Sequence, residues 1–208
     1  MCLRFPLDAN LKRLELILVL LFLIKLKMSE YQVVLGALEV DMSSSTRVEY
    51  SDTRGRSQNE GLSETYLKSM DLLQFDGLSI PNPGKGSSGA ILFNSNGDIV
   101  FERGDYLGDT TNNIAEYKGL LIGIEECVKR NITNIRIEGD SMLVVNQVSG
   151  KWQVKDAKLK VLHQTVMAMF NRYFKNVVIR HVYRDKNKDA DRITNEVMKL
   201  GHSFIKEY

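Results

Sequence analysis

The sequence predicts an α/β fold, a mixed five-stranded sheet flanked by helices. Three short alternating segments joined by tight turns run from Leu72 to Leu107, as in an antiparallel meander. Strand-like and amphipathic helical segments then alternate to the C-terminus. The longest helical pattern, Asn113–Arg130, falls between the third and fourth strands, where a crossover is needed for parallel pairing.

Leu73 and Phe75 alternate with polar neighbours, as in a half-buried strand. Asp76 closes that run, and Gly77, Pro81, Pro83, Gly84 and Gly86 follow as residues that interrupt regular structure. Ser88–Asn94 forms the second strand, Asn94-Ser95-Asn96-Gly97-Asp98 is hairpin-turn chemistry, and Ile99–Leu107 returns as the third. Ile114, Tyr117, Leu120, Leu121, Ile124, Cys127 and Val128 recur at three- and four-residue steps, with Thr111 or Asn112 available as cap. Asn134–Glu138 is the fourth strand, ending in Gly139-Asp140-Ser141. Ser141–Val148 forms a short helix stopped by Gly150, Ala157–Tyr173 a longer one, Asn176–Val182 the fifth strand and Asn187–Phe204 the last helix.

The first 70 residues have another character. From Leu14 to Ile24 the chain is apolar except for Glu15, with Lys12 and Arg13 before it and Lys25 and Lys27 after. That run is shorter than the roughly twenty residues a membrane-spanning helix needs, and no small-x-small cleavage site follows it. Residues 1–28 are therefore a targeting or anchor segment, an amphiphilic appendage, or an extension ahead of a start at Met28. Residues 29–69 include a strand-like Tyr31–Val40 and then a polar stretch too poor in apolar residues for a core, which reads as a disordered linker. Residues 70–208 form the folded domain.

Net charge is +2 over 208 residues, so no global basic field marks a nucleic-acid binder and any basic surface is local. Cys2 and Cys127 are too few and too far apart for a disulfide framework, and Cys127 falls at a helical core position; a reducing intracellular compartment follows.

Four acids stand at comparable junctures. Asp76 ends the first strand, Asp140 follows the fourth, Glu116 opens the long helix and Asp191 the last one. Each has a plain structural reading: Asp76 as a turn initiator, Asp140 as the cap of the next helix, Glu116 and Asp191 as acids favoured by the helix dipole. Four such coincidences around one sheet point to a shared site.

Residues 72–200 resemble a type 1 ribonuclease H. Phe75-Asp76-Gly77 with Asn82-Pro83-Gly84 matches the opening motif of that family, and Thr111-Asn112-Asn113-Ile114-Ala115-Glu116-Tyr117 its helix motif. Glu138-Gly139-Asp140-Ser141 matches the third motif, and His181-Val182 through Asn187-Lys188-Asp189-Ala190-Asp191 the fourth. Leu143-Val144-Val145-Asn146-Gln147-Val148 and the short link through Trp152 are similar to the plant and archaeal branch, which lacks an inserted basic helix. Met142 and Tyr183 depart from the usual pattern, Tyr183 replacing a proline after His-Val.

The resemblance implies the ribonuclease H-like fold and an endonuclease that hydrolyses the RNA strand of RNA–DNA hybrids with two Mg²⁺ ions, for which Mn²⁺ is a possible substitute. Asp76 would bridge both ions, Glu116 and Asp140 bind one side and Asp191 the other, while His181 helps product leave. Gly77, Asn112, Asn113 and Ser141 would bind substrate, with backbone groups after Asp76, together with Asn113 and Glu116, reading the 2′-hydroxyl of RNA, and Lys151 and Trp152 would meet the DNA strand. The partner is the hybrid, with no obligate protein partner and a monomeric chain. The alternative is an inactive nucleic-acid-binding module that keeps the fold. Physical chemistry favours the enzyme: two carboxylates about 4 Å apart repel by roughly 4 kcal/mol at an effective dielectric near 20, and hard divalent cations with oxygen ligands relieve that repulsion.

Overall fold

The computed structural model describes residues 47–50 and 63–208. The apolar stretch at 1–28 and Tyr31–Val40 lie outside the described residues. Among the described residues no helix is long and apolar enough to cross a membrane.

The elements are β1 (Arg47–Tyr50), α1 (Glu64–Lys68), β2 (Asp71–Ile80), β3 (Gly84–Phe93), β4 (Ile99–Thr110), α2 (Asn112–Lys129) and β5 (Asn134–Gly139). Then come α3 (Met142–Val148), α4 (Ala157–Tyr173), β6 (Asn176–His181), a 3₁₀ turn (Arg184–Lys186), α5 (Lys188–Leu200) and β7 (Phe204–Glu207). They build one mixed sheet in the order β1-β6-β5-β2-β3-β4-β7, parallel from β1 to β2 and antiparallel from β2 to β7.

The sheet has seven strands where five were expected, and both additions are edges. β1 lies inside the stretch expected to be a polar linker and pairs in parallel with β6. The same stretch holds α1, whose Leu67 packs with Met70 and Val178. β7 replaces the last turn of the helix expected to reach Phe204. Gly201, at φ 69°, accepts the left-handed conformation that ends α5, and Phe204–Glu207 turns back to pair with β4.

Apolar packing is divided by the sheet. On one face Leu73, Phe75, Ala90, Leu92 and Phe101 meet Tyr117, Leu120 and Ile124 of α2 and Val166 and Phe170 of α4. Cys127 is buried in this core, as its helical position predicts. On the other face Ile91 packs with Ala190 and Ile193 of α5. The hairpin at 94–98 forms as predicted, with the Gly97 N–H donating to the Asn94 carbonyl at 2.9 Å. Only residues 149–156 join α3 to α4, with no inserted helix.

Two expectations about the acids are corrected. Asp76 does not end its strand: β2 runs on to Ile80, paired with β3 throughout, while its parallel partner β5 stops at Gly139 opposite Phe75. Gly77 therefore breaks nothing. A Cβ there would sit 2.1 Å from the Ala115 carbonyl carbon and the Glu116 nitrogen, so its bare Cα lets the start of α2 lie against the strand. Glu116 belongs to the second turn, because α2 begins at Asn112 behind the Thr111 cap and has no acid in its first turn. The helix-dipole explanation for Glu116 falls away with that placement.

Candidate active site

The site forms where β5 stops short of β2, leaving a notch at the carboxyl ends of the parallel strands, where α/β sheets place their ligands. Phe75 points to the α2 face, so strand alternation turns Asp76 the other way, toward α5. Asp140 comes from the chain leaving β5 and Glu116 from α2. One carboxylate oxygen from each of Asp76, Glu116 and Asp140 lies within 4.8 Å of the others.

The plain structural readings do not account for this group. Ser141, not Asp140, caps α3, its Oγ accepting from the Val144 N–H at 3.4 Å. Thr111 caps α2 in the same way through the Ile114 N–H. Asp140 Oδ1 instead accepts from Asn187 Nδ2 at 2.9 Å.

Burial first, then the Asp140 charge, push the Asp76 carboxyl up to about 6, against the pull of the Thr194 hydroxyl and the Gly77 N–H. Burial pushes Glu116 well above the carboxylate range, with Asp76 and Asp140 adding to it and the Arg184 guanidinium opposing it. Glu116 Oε2 is buried without a hydrogen-bond partner. Three crowded carboxylates, one with an orphaned oxygen, are the donor set a hard divalent cation requires.

Asp191 stands in the first turn of α5, as expected, but outside the three-acid group. It pairs with Arg184, and its Oδ2 accepts from Asn195 Nδ2 at 3.0 Å. It is close enough to help raise Asp76. His181 ends β6, its Nε2 donating to the Asp140 carbonyl at 3.1 Å and its ring meeting Tyr183 edge-on at 5.8 Å.

The expected substrate contacts are spread around the notch. Asn112 accepts from the Ser79 N–H at 2.6 Å, and its own N–H donates to Asn82 Oδ1 at 3.1 Å, tying the β2–β3 turn to α2. Asn113 beside it is exposed. Lys151 and Trp152 are exposed on the α3–α4 link, with the Trp152 N–H held by the Asn146 carbonyl at 3.0 Å. Met142 and Tyr183 are exposed as well. A cleft of about 580 Å³ runs along the start of α2, between Thr110, Thr111, Ile114 and Lys118 and Lys158 of α4.

Two residues of the site carry no signal of that role in the sequence. Asn187 opens the last helix expected from the sequence, yet its side chain makes no capping bond and is spent on Asp140 and the Phe75 carbonyl. Arg184 sits in a stretch of mixed charge, where a guanidinium paired with Asp191 is indistinguishable from a solvated one.

The Asp76 shift makes a stability prediction. An acid raised in the folded state binds its proton more tightly there than in the unfolded chain. Its contribution is present below the unfolded value of 3.8 and lost as pH climbs through about 6. In chelator, Asp76→Asn should therefore gain on the wild type as pH rises across that window and hold the gain above it. The limit is on the order of 3 kcal/mol. Chemical denaturation of both proteins across the window checks this; a constant difference would contradict it.

Residues 74–197 match the family model described as reverse transcriptase-like. Among curated relatives, the ribonuclease HI of Halobacterium salinarum is 36% identical over 124 residues, 60% of this chain and 62% of its own. A bifunctional protein of Mycobacterium tuberculosis is 36% identical over 128 residues, and the match spans 35% of its length. The ribonuclease H1 crystal structure from Halobacterium salinarum superposes with TM-score 0.60 at 35% identity, covering 62% of this chain and 98% of that one. LC11 ribonuclease H1, solved in complex with an RNA/DNA hybrid, gives TM-score 0.61 at 28% identity over 63% and 98%. With the four acid-bearing segments in the expected order on this sheet, the chain belongs to the reverse transcriptase-like family, in its type 1 ribonuclease H branch.

Proposed function

We propose that this chain is a divalent-metal-dependent endonuclease that cuts the RNA strand of RNA–DNA hybrids. The observation that carries the reading is the group of Asp76, Glu116 and Asp140, with the Glu116 Oε2 orphaned inside it. A module that only binds nucleic acid gains nothing from carboxylates crowded where phosphate must lie, because they repel it. A relative with 28% identity was solved with an RNA/DNA hybrid, which supports that substrate here.

Asp76, Glu116 and Asp140 would hold the cation, with Asp191 completing the set when its pairing with Arg184 opens. Two Mg²⁺ ions suit four carboxylates, water and phosphate oxygens, and when bound they supply Lewis acidity at the attacked phosphate and the leaving 3′ oxygen. The chain's own residues do the rest. Asp76 on β2 and Glu116 on α2 stand on paired and packed elements, which retain the orientation of their carboxylates through the reaction. His181, hydrogen-bonded to the Asp140 carbonyl, would help product leave. Lys151 and Trp152 meet the DNA strand through phosphate and sugar, contacts that position without reading sequence.

RNA is distinguished by its 2′-hydroxyl, which both donates and accepts. The Gly77 backbone, Asn113 and the Ser141 turn read it in this proposal. Asn113→Ala should lower hybrid cleavage about fivefold, the worth of one neutral hydrogen bond, and leave duplex-DNA binding unchanged. Gel cleavage of hybrid, duplex RNA, duplex DNA and single strands, with DNA affinity measured beside it, tests both statements. Equal losses on the two substrates would show Asn113 to be structural only. Hybrid left intact by the wild type would overturn the enzyme.

A further inference from the structure

We infer that Asn187 is the positioning residue of this cluster: its buried side chain fixes the Asp140 carboxylate against β2 and so sets how tightly the site holds a divalent cation. The inference rests on the proposed metal-dependent reading of the site.

Asn187 is fully buried, and both hydrogens of its amide are used. One goes to the Phe75 carbonyl at 2.9 Å, one residue before Asp76 on β2; the other goes to Asp140 Oδ1, also at 2.9 Å. Its backbone carbonyl accepts from the Asp191 N–H at 3.1 Å. One residue therefore touches the chain beside the first acid, the carboxylate of the second and the backbone of the third.

The amide can stand only one way round. Turned over, its oxygen would face a carbonyl and a carboxylate, both acceptors, so the orientation is fixed by what surrounds it. The arrangement carries a cost. Asn187 forgoes the capping bond at α5 that its place in the chain offers, and its Oδ1 is left buried without a partner. The loop does not depend on it alone, because Gln74 Nε2 holds the neighbouring Lys186 carbonyl at 3.0 Å.

What the amide supplies is orientation without charge. Among the described residues it makes the sole hydrogen bond to the Asp140 carboxylate, which would otherwise swing away from Asp76 and Glu116 under mutual repulsion. A lysine in its place would hold Asp140 equally well but would neutralise the site and compete with the cation. A neutral donor pins one oxygen and leaves the other free to ligate. Such outer partners of metal ligands set affinity by ten- to a hundredfold.

Calorimetric titration of the full chain with Mg²⁺ tests this. Asn187→Ala should bind Mg²⁺ about tenfold or more weakly than the wild type. Val197→Ala opens a cavity in the same helix away from the acids, and should lower the melting temperature while keeping Mg²⁺ affinity within about twofold. If Asn187→Ala does not fold by circular dichroism, Asn187→Ser, which retains one donor, should show a smaller loss of affinity. Wild-type Mg²⁺ affinity in the folded Asn187 variant would overturn the inference, as would an equal loss in Val197→Ala. A wild type that binds Mg²⁺ in this pattern yet cuts no hybrid would overturn the proposed reaction and leave the role of Asn187 standing.

Discussion

Asp140→Asn should abolish hybrid cleavage while leaving the fold as stable as before, or more so, in metal-free buffer. The substitution keeps the size of the side chain and an oxygen that still accepts from Asn187 Nδ2. It removes one negative charge from a group whose oxygens lie within 4.8 Å of one another, which relieves repulsion when no cation is present. It also removes a ligand, and charge stabilisation of several kcal/mol at the reacting phosphate goes with it. At 1.36 kcal/mol per decade, the loss is on the order of a thousandfold in rate. Hybrid affinity should survive, because phosphate contacts dominate it and less negative charge now faces the backbone. A purely structural Asp140 would behave otherwise, since asparagine caps a helix nearly as well as aspartate. Cleavage, affinity and melting temperature on one preparation, with and without Mg²⁺, separate the two; cleavage near wild type would remove Asp140 from the site.

Gly77→Ala should be the most damaging single-methyl change in the domain. The added Cβ would meet the Ala115 carbonyl carbon and the Glu116 nitrogen at 2.1 Å and the Ala115 oxygen at 2.5 Å. All three are helix backbone, with no flexible side-chain end to swing aside. Ala115 and Tyr117 are fully buried, so α2 cannot slide outward without opening the core. Overpacking of this kind costs on the order of 3 kcal/mol or more, which for a domain of this size lowers the melting temperature by roughly 10 °C. Glu116 moves with the helix, so Mg²⁺ affinity should fall together with stability. Gly97→Ala is the comparison: Gly97 has φ 91° but nothing within 4 Å of an added Cβ, leaving only backbone strain of about 1 kcal/mol. Gly77→Ala melting no lower than Gly97→Ala would contradict the packing described at the start of α2.

The contrast between these two glycines shows what was legible in the chain. Gly97 sits in Asn-Gly-Asp turn chemistry, a local signal, and the hairpin appears where it was expected. Gly77 is glycine because of a helix some forty residues away, and no local pattern separates that from a turn. The same divide runs through the acids. Local periodicity placed α2, α4 and the strand before Asp140 within a residue or two of their bounds. What gathered Asp76, Glu116 and Asp140 is tertiary, the stop of β5 opposite Phe75. β1 and β7 were missed for a related reason. Edge strands gain their order from a neighbour's unpaired backbone, so Arg47–Tyr50 and Phe204–Glu207 need no strong alternation of their own. Asn187 shows in the sequence only as the start of the last helix; its partners lie on β2 and beyond β5.

The carboxylate group of Asp76, Glu116 and Asp140 is proposed to make the chain a metal-dependent nuclease for the RNA strand of a hybrid. One hybrid duplex, labelled on the RNA strand in one sample and on the DNA strand in the other, tests it most directly when incubated with the full chain in Mg²⁺ and in chelator. The expected result is shortening of the labelled RNA strand alone, in Mg²⁺ alone. Cutting of the DNA strand, or RNA cleavage that persists in chelator, would contradict it.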